Sequence, residues 1–332
     1  MRGVRWGAIV AVGLVLATAC SAPAPLPASA PPPPVESAPS PSPLAGEPVD
    51  VRLVEAAAPR ALGRLSIDPG RALAHVVALA DIGPRLPGSE ADRAARGYVS
   101  GIFEAADWSV VEEPFGLPQG GESANVVAWR SGAEPPYGGP HVVIGGHLDT
   151  VEGSPGANDN ASGVGVILAV AEALGPDVLP ALPVVLVAFG AEERQPAAGR
   201  PDHVGSDAYA SAHGERVVAM LSVDMIGNGR STCMCWYAAG PGTLAERLAA
   251  VAGDAGIDAV HVARQGDVSD HGPFALRGVP AAFLWTGIDS RYHSPGDTAE
   301  HVRPADLARA GALLLAFLAD LTSADATSFG SG

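Results

Sequence analysis

Residues 183–190 read PVVLVAFG, an almost unbroken apolar run with a proline before it and a pair of glutamates just beyond. A run this short and this apolar is a strand covered on both faces. It restricts the chain to folds in which helices sheathe a sheet from two sides. The flanking segments agree. A strand is expected over 141–146, then a helix over 160–174 stopped by Gly175 and Pro176. Downstream, strands are expected over 217–225, 259–262 and 280–285, and helices over 206–212, 243–255, 270–277 and 304–321, the last opening on Pro304. Upstream, a helix opens at Asp68 or Pro69 and runs through Leu73, Val76, Val77 and Ala80. The loop GPRLPGS separates it from a second helix over 90–106, and β-rich runs follow over 108–112 and 125–130. The expected fold class is α/β: a single domain with a central, mostly parallel (mixed) β-sheet flanked by helices on both faces.

The chain ends read differently. Arg2 and Arg5 precede an apolar run over 7–19, too short to span a membrane as a mature helix, which closes LATAC. This pattern resembles a lipoprotein signal peptide over 1–19, with Cys20 as the lipidated first mature residue. Leu16 sits one place earlier than the commonest pattern, and a plain secretory signal cut after Ala19 or Ala22 is the alternative. Export is expected either way, to the cell envelope or the medium. Residues 20–60 are rich in Pro, Ala and Ser and cannot bury enough apolar surface to offset chain entropy, so they read as a disordered linker. The folded domain is expected over 61–323, with a flexible tail over 324–332. A net charge of −16 repels phosphate backbones, so no nucleic-acid partner is expected, and membrane contact only through the lipid. Cys233 and Cys235, one residue apart, could form only a small strained ring, which leaves a disulfide and two free thiols both open.

Polar residues gather where the apolar strands end. His147 and Asp149 follow HVVIGG, Glu192 and Glu193 follow PVVLVAFGA, Asp224 closes VVAMLSVDM, and Tyr292 and His293 lie past AAFLWTG. Ligands of open α/β sheets bind beyond the carboxyl ends of the strands. Each signal alone is weak; His75, His141, His203, His213, His261 and His301 read as structural or surface residues. Four strand ends delivering His, Asp or Glu together point to a divalent metal.

With ADIGPRLPGS, GGHLDT, ANDNASG, FGAEE, GSDAYA, VDMIGN, SDHGPFALRGVP and YHSPGDT in this order, the chain resembles the M28 family of zinc exopeptidases over about residues 73–321. The secreted bacterial aminopeptidases are the nearest type. The resemblance implies two zinc ions per chain. One would be held by His147 and Asp224 and the other by Glu193 and His293, with Asp159 bridging them. It implies Glu192 as general base, Tyr292 as donor to the oxyanion, Asp149 as hydrogen-bond partner of the His147 ring, and a cis bond between Asp159 and Asn160. Asp270 resembles a position beside the site. Two His and three carboxylates, with no thiolate, suit zinc and also cobalt or manganese, and two such ions lower the pKa of a water they share. Gly163 and Gly165 look like allowances for close helix–sheet approach. The segment between Glu193 and Gly205 is longer and richer in proline than the family's usual link.

The expected function is an exported dizinc aminopeptidase acting on peptides with a free N-terminus. A glutaminyl cyclase of the same fold and a non-catalytic surface binding protein are the alternatives. Asn160 and Tyr292 favour hydrolysis over cyclisation, because the cyclase branch typically has Ser and Trp there.

Overall fold

The computed structural model describes residues 62–328 apart from 63, 131–137, 176–177, 179, 194–202, 230–232, 238–241, 259–260 and 267. The segments expected to be signal and linker, Cys20, and the side chains of Cys233 and Cys235 lie outside what it describes. Among the described residues no helix is long and apolar enough to cross a membrane.

Helix α1, Pro69–Asp81, starts where Asp68 accepts hydrogen bonds from the amides of Gly70 and Arg71. Ser89 does the same for the Asp92 amide at the start of α2, Glu90–Ala105. These caps satisfy amides that the first helical turn leaves without partners. Strands β1 (Ser109–Gly116), β2 (Glu122–Trp129) and β3 (His141–His147) follow, then α3 (Ser162–Ala173) and β4 (Val184–Phe189). The rest alternates: α4 (Val204–His213), β5 (Val217–Val223), β6 (Cys233–Tyr237), α5 (Thr243–Asp254), β7 (His261–Gln265), α6 (His271–Ala275), β8 (Ala281–Trp285) and α7 (Pro304–Asp320).

The strands form one mixed sheet of eight, in the order β1-β2-β4-β3-β5-β8-β6-β7. Its centre, β4-β3-β5-β8, is parallel. Every residue of β3 and β4 is buried, as the apolar run required. Alternate side chains enter two cores. Val142, Ile144, Leu186 and Leu221 pack among residues of α1, α3 and α7, while Val143, Val185, Val187 and Met220 pack with Tyr209 and Phe274 of α4 and α6.

Three details depart from expectation. Strand β6 was not foreseen; it runs antiparallel to β8 and parallel to β7, and so joins β7 to the sheet. Gly163 permits contact with the sheet, where a Cβ would stand 2.1 Å from the Val223 carbonyl oxygen. Gly165 faces a helix instead, with Ala72 O of α1 at 2.9 Å from such an atom. Order also runs past 323: α8, Asp325–Ser328, is anchored by Asp325, whose oxygens accept from Arg247 at 2.7 and 3.1 Å. An ion pair that also receives the Thr322 amide holds the start of this expected tail against the domain.

Candidate metal centre

Because β4, β3, β5 and β8 are parallel neighbours, their carboxyl ends open at one edge of the sheet. Strand β3 ends on His147 itself. Beyond β4 the chain turns through Ala191, φ 55°, into Glu192 and Glu193. Asp224 directly follows β5 and precedes Met225, φ 45°; the loop after β8 returns His293 at φ 55°. Left-handed backbone outside glycine is uncommon and gathers at functional sites.

Asp159 lies in the turn Ala157–Ala161 ahead of α3, and the Asp159–Asn160 bond is cis. Asp297 accepts from the Asn158 and Asp159 amides at 2.8 and 3.0 Å. Asn160 ties the turn to β5: its Nδ2 donates to Val223 O at 2.8 Å, and its Oδ1 accepts from Gly163 at 2.9 Å and Met225 at 3.3 Å. Arg85, fully buried, donates to the carbonyls of Leu79, Leu148, Pro155 and Gly156, bracing the loop that separates His147 from Asp159.

These supports converge on one carboxylate. His147 Nε2 lies 3.2 Å from Asp159 Oδ1, and His293 Nε2 lies 3.2 Å from Asp159 Oδ2. Asp224 Oδ1 is 3.4 Å from His147 Nε2, and Glu193 Oε2 is 3.0 Å from His293 Nε2. The two imidazoles thus flank Asp159, each with a second carboxylate. Glu192 Oε2 stands 4.0 Å from His147 Nε2.

Asp149 does something other than expected. The His147 Nδ1 atom meets the backbone carbonyl of Asp149 at 3.2 Å, with the Asp149 carboxylate farther off at 3.8 Å. That carboxylate instead accepts from the amides of Glu192 (2.9 Å) and Glu193 (3.0 Å). Two backbone amides in the adjoining strand end offer it better-directed donors than one ring nitrogen two residues away.

A family model, Peptidase family M28, matches residues 125–318, more than half of the chain. The chain belongs to peptidase family M28. It is 31% identical over 203 residues to aminopeptidase YwaD of Bacillus subtilis, covering 53% of this chain and 40% of that protein. The chain therefore spans less than half the length of that relative. The fold is similar to a zinc aminopeptidase from Bacillus subtilis, with a TM-score of 0.68 at 17% identity over 76% of this chain and 95% of the other. It is as similar to a Bacteroides thetaiotaomicron glutaminyl cyclase, with a TM-score of 0.68 at 20% identity over 77% of this chain and 99% of the other.

The residues fit a metal of the kind this M28 fold implies. Asp159 Oδ2 and Asp224 Oδ1 are buried without a well-directed hydrogen bond among the described residues, although an imidazole nitrogen stands 3.2 and 3.4 Å from them. Two groups, His147–Asp159–Glu193 and His147–Glu192–Asp224, each bring ligand atoms within 4.8 Å of one another. Buried oxygens that lack a well-aimed donor are costly unless a cation meets them, and a mixed imidazole–carboxylate set suits zinc.

Burial and the imidazoles push these carboxyls in opposite directions. Burial pushes the Glu192 carboxyl well up, with Asp270, Asp224 and Asp149 adding repulsion against the pull of His147. Burial likewise takes Glu193 to about 8, opposed by its contact with His293. Burial works against a charge on Asp159, yet His147 and His293 outweigh it and bring the carboxyl down to about 2. His293 rises to about 10, burial being overcome by Asp159 and Glu193. Tyr292, 38% exposed, stacks on His293 with ring centroids 3.6 Å apart. Burial and the surrounding carboxylates keep its hydroxyl proton in place, so it remains a donor.

Asp270 is buried ahead of α6, and both its oxygens lack a hydrogen-bond partner among the described residues. Burial lifts it to about 6. Its neighbour Ser269, which sequence reasoning passed over, donates to Asp224 Oδ2 at 3.0 Å. Asp297 and Arg85 were missed in the same way, although both stand inside the quoted motifs YHSPGDT and ADIGPRLPGS. His203 was read as structural or surface; its Nε2 lies 3.1 Å from Glu192 Oε1.

Proposed function

We propose that the chain is an exported dizinc aminopeptidase that hydrolyses the first peptide bond of peptides with a free N-terminus. The observation that carries this is Asp159, one buried carboxylate with an imidazole 3.2 Å from each of its oxygens. Around it, His147 and Asp224 would hold one cation and Glu193 and His293 another, with Asp159 available to both. Bound zinc would supply a water acidic enough to attack at neutral pH and would polarise the peptide carbonyl. Glu192 would accept the proton of the attacking water and return it to the leaving amine. Its Oε2 faces His147, and burial raises its proton affinity, which suits a base that must hold a proton between the two transfers. Tyr292 donates to the oxygen on which negative charge develops. The aminopeptidase named among its similar proteins supports the exopeptidase reading. The LATAC segment ending at Cys20 supports export with a lipid anchor on Cys20.

The test is a panel of aminoacyl anilides and peptides, each free or N-acetylated, assayed with and without a chelator, beside peptides beginning with glutamine. Free substrates should be cleaved, N-acetylated ones spared, and activity lost on chelation and regained with zinc. Equal cleavage of N-acetylated peptides would remove the aminopeptidase reading. Cyclisation of N-terminal glutamine without hydrolysis would replace it with a cyclase, and inertness in every arm with a binding protein.

A further inference from the structure

We propose that His203 is a positioning residue for Glu192: its ring holds one carboxylate oxygen so that the other faces the metal ligands. The inference rests on the reading of Glu192 as the base. His203 Nε2 lies 3.1 Å from Glu192 Oε1, while Glu192 Oε2 lies 4.0 Å from His147 Nε2. The two oxygens of one carboxylate thus look in different directions, one to His203 and one into the centre. Both residues are buried, at 6% and 8% exposure. A carboxylate with so little exposure is held chiefly by the polar groups of the protein that meet it.

The backbone fixes where this ring stands. The amides of His203, Val204 and Gly205 donate to the carbonyls of Glu192, Ala191 and Gly190 at 2.9, 2.9 and 3.0 Å. These three bonds lay residues 203–205 directly against the segment that carries the base. Gly205 permits the approach, since a Cβ there would stand 2.2 Å from Gly190 O. His203 itself is left-handed, φ 71°, and its carbonyl accepts from the Asp207 amide at 2.8 Å in the first turn of α4. On the other side, Asp149 pins the Glu192 amide. With both backbones fixed, the torsions of the Glu192 side chain are what is left to set, and the His203 ring engages one end of that side chain. A base misaimed by about 1 Å can cost roughly 100-fold in rate.

The experiment compares His203→Ala and His203→Gln with the zinc-loaded wild-type protein. In His203→Ala, kcat on an aminoacyl anilide should fall about 10- to 100-fold with KM and bound zinc unchanged. His203→Gln, whose amide N–H can still reach Oε1, should recover much of the loss. Wild-type kcat in His203→Ala, a loss that follows lost zinc, or a Gln variant no better than Ala would each overturn the role. A second readout does not depend on turnover: the 15N resonance of His203 Nε2 should move in Glu192→Gln. If the wild-type protein hydrolyses no anilide, the reading of Glu192 as base fails. The resonance then decides the contact by itself, and an unmoved signal sinks it.

Discussion

Glu192 and Glu193 are adjacent in the chain, yet their carboxylates meet different partners. Glu193 faces His293, and Glu192 lies between His203 and His147. Removing the charge of one should therefore differ from removing the other. Glu192→Gln should keep its zinc and lose about 100-fold or more in kcat, read from turnover beside metal content in the same sample; full activity would take Glu192 out of the base role. Burial lifts the Glu193 carboxyl to about 8, and Asp159 and Glu193 lift His293 to about 10 against the effect of burial. Ligands must shed protons to bind a cation, so zinc binding at pH 7 should release protons, and affinity should rise with pH. Titration calorimetry in buffers of differing ionisation enthalpy reads this directly. A binding heat independent of buffer would contradict it.

Elements place these residues by close approach. Helix α3 meets the end of β5 at Gly163, where a Cβ would stand 2.1 Å from Val223 O and 2.5 Å from Asn160 Oδ1. Gly163→Ala should cost about 1–3 kcal/mol of stability by overpacking. It should also disturb the Asn160 bonds that tie the Asp159 turn to β5, so zinc affinity should drop along with the melting temperature. Unchanged melting would mean that α3 can shift without cost. At this scale much was legible in the sequence. The β4 run announced a strand covered on both faces, and Asp68 marks a helix start where the polar residue precedes the apolar periodicity; the Ser89 cap of α2 appears only in the structure. Strand β6 was overlooked because Cys233 and Cys235 drew attention as a thiol pair, although Asn228-Gly229 before it and Gly240-Pro241-Gly242 after it are turn formers that bracket a short strand. It exists by pairing between β8 and β7.

For the molecule as a whole, the sheet order makes the site. His147, Glu192, Glu193 and Asp224 stand at the ends of neighbouring strands only because β3 lies between β4 and β5. Residues 322–328 close on the same domain through Arg247 and Asp325. Burial opposes the charge on Asp325, but Arg247 and Thr322 prevail and hold its pKa at about 2. A carboxyl depressed on folding stabilises the fold above its unfolded value, about 3.9, and loses that contribution as pH falls towards 2. Asp325→Asn should therefore lower the melting temperature at pH 5, and the gap to wild type should narrow as the pH is brought to 2. A gap independent of pH would remove the ion pair from the account.

Local chemistry was enough to read which residues could act. Apolar runs long enough to be strands, ended by His, Asp or Glu, can be recognised without knowing their neighbours, and so can the motifs that place the chain in M28. Which atom meets which was decided only in three dimensions. The resemblance to M28 implied that the Asp149 carboxylate would hold His147, but the register of β3 against β4 brings the Glu192 and Glu193 amides to that carboxylate instead. His203 gave no signal, since a lone histidine ten residues past Glu193 has no periodicity to mark it; three backbone bonds set it beside Glu192. Sequence spacing limits contacts along one element, whereas the contacts that orient this site run between elements, and their geometry exists only once the sheet has assembled.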